Sequence, residues 1–240
     1  MNEDFMFTSS WDDGFPSDLR VADLLKKYDL QGTFFVPVVN KENRPVLKAN
    51  EVAHLAASFE IGGHTFSHSY LRDKLSLEEI RTEIWNGKKV LEDWIGEHLD
   101  GFCYPGGVYD SRVIDEVKLA GFKYARTTEN LMLTVGDERF LMPTTVQFYP
   151  HRPIVYLRNW LRYPRAKKLQ LSCRALISGN NKSFFLWLLN YAIRTNGVFH
   201  LWGHSWELDQ HNLWNELEAF FKEVNALKGA SCQLRNLVAK

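Results

Sequence analysis

The chain has 240 residues, and its 29 basic and 29 acidic side chains leave a formal net charge of zero at neutral pH. At 45% hydrophobic, 24% charged and 14% aromatic it has the apolar material for a sizeable core, which excludes a disordered chain. Balanced charge without a nucleic-acid motif argues against a nucleic-acid binder, and three cysteines (Cys103, Cys173, Cys232) without CxxC spacing argue against a disulfide framework or a thiolate zinc site. That cysteine usage suits a reducing compartment. The first residues lack the basic and apolar regions of a secretory signal, and the longest apolar run, Phe184 to Tyr191, is too short to cross a bilayer, so a cytoplasmic location is expected.

Short apolar strands alternate with amphipathic helices, the pattern of an α/β fold. In chain order the pattern predicts a strand at Phe5 to Ser10, a helix at Asp18 to Tyr28, a strand at Thr33 to Val38, a helix at Asn50 to Ala57, and a strand at Phe59 to Gly62. A helix follows at Ser76 to Ile95, where Ser76 and Glu79 make a capping box before Ile80, Ile84, Leu91 and Trp94. Next come a strand at Gly101 to Tyr104, a helix at Ser111 to Ala120, and strands at Lys123 to Thr127 and Met142 to Val146. The series ends with a helix at Lys182 to Arg194, a strand at Val198 to Trp202, and a helix at Asn212 to Leu227 whose Leu213, Leu217, Phe220, Val224 and Leu227 form one stripe. No repeat or linker divides the chain, so residues 1–240 read as one domain with a basic, partly helical insertion at about 149–181.

In parallel α/β sheets the chemistry collects at the carboxyl ends of the strands. Four of these ends are polar. After the first strand stand Ser10-Trp11-Asp12-Asp13-Gly14, where two adjacent carboxylates repel unless a cation or donor is near; an Asp-Gly turn is the plainer reading. After the third comes His64-Thr65-Phe66-Ser67-His68, whose histidines share a face if the loop makes one helical turn. They fit either ordinary polar loop residues or nitrogen ligands of a metal such as Zn²⁺. Joined with Asp13 they make a two-His, one-carboxylate set with open coordination positions. Cys103-Tyr104-Pro105-Gly106-Gly107 allows close backbone approach, as an ordinary turn or as an oxyanion hole, and His200-Leu201-Trp202-Gly203-His204 runs a strand into a loop histidine.

In this order the four segments resemble the polysaccharide deacetylase family, the NodB homology domain of carbohydrate esterase family 4. Ser10 to Gly14 are similar to the family's Thr-Phe-Asp-Asp-Gly, His64 to His68 match its His-Ser/Thr-x-x-His, and Leu201 to His204 match its last motif. The resemblance implies a distorted (β/α) barrel of about seven strands and metal-dependent hydrolysis of an N-acetyl group on an acetamido sugar or glycan. It implies Asp13, His64 and His68 as ligands of a divalent ion, Zn²⁺ first and Co²⁺, Mn²⁺, Ni²⁺ or Fe²⁺ otherwise. Asp12 becomes the base toward a metal-activated water, the Gly106 N–H an oxyanion donor, and His204 the acid. Two departures stand out: the third motif's Arg and Tyr are replaced by Cys103 and Gly106, and the fourth motif, whose Asp orients the acid, is missing. Arg126 and Glu207 are available for related roles without matching a motif, which leaves the partner of His204 open.

Trp11, Trp202 and Trp206 lie beside these residues, either in the core or stacked on a sugar ring. His200 reads as a hydrogen-bonded barrel residue, and His54, His98, His151 and His211 as surface groups. From Arg139 to Trp206 there is no Asp or Glu but ten Lys and Arg, among them Arg152, Arg158, Arg162, Arg165, Lys167, Lys168 and Arg174. The 152–174 stretch fits an anionic membrane surface, such as the inner membrane face, or a sugar diphosphate; it fits equally an insertion neutralised by acidic neighbours. An amidase, ureidase or imidase of the same fold, or a glycan-binding protein without activity, are the alternative functions.

Overall fold

The computed structural model describes residues 5–71, 75–178, 182–227 and 230–238; the first residues of the chain and the end of the insertion at 179–181 lie outside them. Seven parallel strands curl into a half-barrel in the order β5-β4-β3-β2-β1-β7-β6. They are β1 (Met6–Asp12), β2 (Thr33–Val36), β3 (Glu60–Gly63), β4 (Gly101–Cys103), β5 (Tyr124–Arg126), β6 (Val146–Gln147) and β7 (Val198–His204). A strand covered on both faces reads as a continuous apolar run and not an alternating one, as Thr33-Phe34-Phe35-Val36 does. A short β8 (Ala230–Ser231) pairs with Met6 and Phe7 of β1.

Helices α1 (Asp18–Lys27), α2 (Ala49–Ala56), α3 (Leu77–Ile95) and α4 (Ser111–Leu119) follow the first four strands as the spacing predicts. Between β6 and β7 lie α5 (Ile154–Arg162), α6 (Ala166–Ser178) and α7 (Lys182–Arg194). After β7 come α8 (Ser205–His211), α9 (Trp214–Ala226) and α10 (Leu234–Val238). The core joins Phe7, Trp11, Phe34, Phe199 and Leu201 of the central strands to Leu217, Phe220 and Phe221 of α9. Trp11 is wholly buried and packs edge-on to Phe221, so it is a core residue and not a sugar platform.

Three expectations are corrected. The sixth strand is not Met142 to Val146: Met142 bridges Arg126 of β5, whereas Val146 pairs with Leu201 of β7. One extended segment thus bridges to β5 at Met142 and, as β6, pairs with β7 from Val146 onward. The last long helix begins at Trp214, because Ser205–His211 forms a separate α8 ended by Asn212 in a left-handed conformation. Leu227, placed on that helix's apolar stripe, is exposed, while Leu217, Phe220 and Val224 are buried.

The capping box is present: Ser76 Oγ accepts from Glu79 N–H, and the Glu79 carboxylate accepts from Ser76 N–H. It starts the helix that holds the histidine loop described below. Ser76→Ala is expected to lower stability by about 1 kcal/mol in urea unfolding.

Candidate active site

Asp12 ends β1, His64 follows β3, Tyr104 follows β4, Arg126 ends β5 and His204 ends β7, so all five stand at the carboxyl edge of the parallel sheet. All but the buried Arg126 line a cleft of about 350 Å³, to which Asp13, His68 and Trp206 also contribute. Gly106, Trp202 and Tyr70 line it too. The volume suits a ligand of monosaccharide size.

Asp13 is 6% exposed and has a positive φ of 77°, a left-handed conformation costly for a non-glycine residue. Its Oδ2 accepts from Trp206 Nε1 at 2.9 Å. Its Oδ1 lies 3.5 Å from His64 Nε2 and 3.1 Å from His68 Nε2, is buried, and makes no hydrogen bond among the described residues. His64 Nδ1 is bonded to the carbonyl oxygen of Cys103 at 2.8 Å, so that nitrogen carries a proton, and Nε2 faces Asp13, where a metal would take the place of a second proton. A buried carboxylate oxygen facing imidazole nitrogens, with no donor of its own, fits a divalent cation. Burial opposes ionisation of Asp13, yet His204, His64 and His68 hold its pKa far below the ordinary value. For His64 burial opposes charge, while Cys103 and Asp13 overcome it and hold the pKa well above the ordinary value. The pocket therefore favours positive charge.

A second donor set, Asp12, His64 and Cys103, shares His64. It is the poorer one, since Arg126 occupies both oxygens of Asp12 and burial pushes the Cys103 thiol up.

The two histidines meet without the helical turn that their spacing suggests. The loop bends with Thr65 and His68 at positive φ. Glu83 of α3 clamps it, its carbonyl accepting from Phe66 N–H and its carboxylate from the N–H and hydroxyl of Ser67. Gly87, one turn on, lets the loop lie against the helix, since a Cβ there would stand 2.8 Å from the Thr65 carbonyl carbon.

Asp12 is 3% exposed and forms a fully buried ion pair with Arg126, which lies over the rings of Trp202 and Phe35. Burial alone would raise the Asp12 pKa, but Arg126 brings it below the ordinary value, so Asp12 is a carboxylate. Arg126 pairs in register with Cys103 on the neighbouring strand. It therefore stands one strand away, at the same level, from the position where the resembled family carries its arginine. Gly106 has a neighbour of the same kind: a Cβ on it would lie 2.4 Å from Tyr70, whose ring fills that side of the cleft.

His204 Nδ1 is bonded to Glu207 at 2.8 Å, which identifies the partner that the sequence leaves open and directs Nε2 toward Asp13 Oδ2, 4.0 Å away. Burial would lower the His204 pKa, but Asp13 and Glu207 raise it to about 9. Glu207 also accepts from Gln147 Nε2, and Gln147 Oε1 is bonded to His151 Nε2. His151 is thus part of the network behind His204 and not a free surface group, which corrects the expectation; His54 and His211 are exposed, and His98 is exposed beside Glu92. His200 meets its expectation, buried and bonded to Ser10 Oγ at 2.8 Å. Arg126, Glu207 and Trp206 stand out in the sequence only as neighbours of the site without a motif match, and their partners Asp12, His204 and Asp13 come from the fold. The available signals are an arginine at the end of an apolar strand and a carboxylate one helical turn after a site histidine.

Residues 2–125, just over half of the chain, match the family profile described as polysaccharide deacetylase. A peptidoglycan-N-acetylglucosamine deacetylase of Bacillus cereus is 36% identical over 104 residues, 43% of this chain. The match spans 46% of that relative's length. Among solved structures, a Mycobacterium smegmatis protein described as a polysaccharide deacetylase superposes with a TM-score of 0.68 at 18% identity, over all of this chain and 90% of its own. A family 4 acetyl xylan esterase from Clostridium thermocellum, in complex with a cobalt ion, does so with a TM-score of 0.57 at 18% identity over 98% of this chain and 90% of its own. Both share the NodB-type (β/α) barrel fold.

Arg126→Met leaves Asp12 buried without its counter-charge and is expected to cost about 3–5 kcal/mol at neutral pH. The deficit should shrink on acidification, because the paired carboxylate's contribution disappears as pH falls through its folded pKa while the unpaired one is relieved by protonation. Arg126→Met combined with Asp12→Asn should recover much of the loss in the same unfolding measurement.

Proposed function

Because the chain belongs to the polysaccharide deacetylase family, we propose that it is a metal-dependent hydrolase that removes the N-acetyl group from an acetamido sugar or glycan. The observation that carries this reading is the unbonded Oδ1 of Asp13 between His64 and His68, in one cleft with a charged Asp12 and a charged His204. Asp13, His64 and His68 would hold a divalent ion, Zn²⁺ best matching two imidazoles and a carboxylate. When bound, the ion supplies Lewis-acid polarisation of the acetyl carbonyl and lowers the pKa of water.

The chain's own groups do the rest. Asp12, kept ionised by Arg126, accepts the proton of the attacking water, and that ion pair fixes where the carboxylate points. The Gly106 N–H, at the cleft wall, serves as a donor to the developing oxyanion. His204 gives its Nε2 proton to the departing nitrogen, which an amide needs because an unprotonated amine leaves poorly; Glu207 holds the ring by Nδ1. Trp206, partly exposed at the cleft, offers an aromatic surface to the C–H face of a sugar ring, whereas Trp202 is buried beneath Arg126.

Asp13→Ala should reduce bound zinc from about one equivalent to none and abolish acetate release from acetylated glucosamine oligomers; full activity in that variant would overturn the mechanism. Since the folded pKa of His204 lies above the ordinary value, the acid is charged at neutral pH and activity should fall as pH rises through it. Glu207→Gln removes the charge while its amide oxygen can still accept from Nδ1–H, so this alkaline limb should move to lower pH in a kcat profile.

A further inference from the structure

The basic insertion has an outer face that the catalytic reading does not use. On α5, Ile154, Arg158, Leu161 and Arg162 recur at i, i+4, i+7 and i+8, which puts them on one stripe, while Tyr156 on the opposite side is buried against Phe184. On α6, Leu169, Leu176 and Ile177 are exposed and Leu171, Ser172 and Ala175 are buried. Leu161 is 65% and Ile177 80% exposed. Five of the ten large hydrophobic residues most exposed among the described residues fall within positions 154–177. Charge follows the same segment. Arg165 and the buried Lys168 pair with Glu129, but Arg152, Arg158, Arg162 and Arg174 have no ion pair to a carboxylate among the described residues.

The stripe reaches the cleft. Arg162 donates to the Gly107 carbonyl at 2.9 Å and Asn159 to the Thr128 carbonyl at 2.9 Å, and Gly106 and Thr128 line the pocket.

We propose that the outer face of α5 and α6 is a docking surface for an anionic lipid bilayer, which brings the cleft mouth to the membrane. Exposed leucines and isoleucines beside unpaired arginines are what an interfacial helix presents, the apolar groups entering the headgroup boundary and the guanidinium groups meeting lipid phosphates. A nucleic acid would satisfy the arginines but leave the aliphatic side chains in water. A second copy of the chain, docked face to face, would set arginine against arginine.

The test is cosedimentation of the full chain with vesicles of phosphatidylglycerol and phosphatidylcholine, and with vesicles of phosphatidylcholine alone. Partitioning should be at least about ten-fold stronger on the anionic vesicles and weaken with salt. Two variants separate the contributions: Arg158→Glu with Arg174→Glu, and Leu161→Ser with Ile177→Ser. Each should lose about ten-fold or more in vesicle binding while keeping the parent's circular dichroism spectrum and its hydrolysis of a small soluble acetylated sugar. Equal binding to both vesicle types, unchanged binding by both variants, oligonucleotide binding without vesicle binding, or a dimer broken by Leu161→Ser with Ile177→Ser would each overturn the proposal.

Discussion

Two adjacent carboxylates buried at the end of one strand can both stay ionised only if each has its own positive partner. Asp12 and Asp13 are 3% and 6% exposed, and the surrounding strands divide the task between them. Asp12 takes a permanent cation, Arg126, from β5. Asp13 faces the Nε2 atoms of two imidazoles, which leave room for an exchangeable one. The left-handed backbone at Asp13 turns consecutive side chains toward different partners, and its strain is a cost that the packed site must offset. The split separates a carboxylate suited to proton transfer from one suited to holding a metal.

The departures from the family's motifs become intelligible on the same basis. Cys103 stands where an arginine is usual, yet the guanidinium is restored from the neighbouring strand because Arg126 is its register partner. Gly106 stands where a tyrosine is usual, and Tyr70 from the histidine loop covers that wall. Glu207 holds His204 from the first turn of α8 in place of a distant aspartate. In each case a side chain of the same chemistry comes to the site from another element. A parallel barrel permits this because the ends of neighbouring strands lie close together.

That also explains what the sequence could and could not reveal. The strands β1 to β5 and helix α7 are legible because apolar runs and helical spacing are local. Asp13, His64 and His68 are legible because their motifs are contiguous. Arg126 is not, since it meets Asp12 across 114 residues and only the folded register brings them together. The sixth strand is misread because a single extended segment pairs with β5 at Met142 and with β7 at Val146, which no local pattern encodes. The histidine spacing suggests a helical turn, whereas Glu83 and Gly87 on α3 impose a bend.

Two donor sets share His64, and the proposed site requires that Asp13, His64 and His68 be the one that holds an ion. Crystals grown with zinc and measured at the zinc absorption edge should give one anomalous peak, about 2.0–2.2 Å from an Asp13 oxygen, His64 Nε2 and His68 Nε2. A peak between Asp12, His64 and Cys103, or no peak in crystals of a protein that still releases acetate, would contradict it.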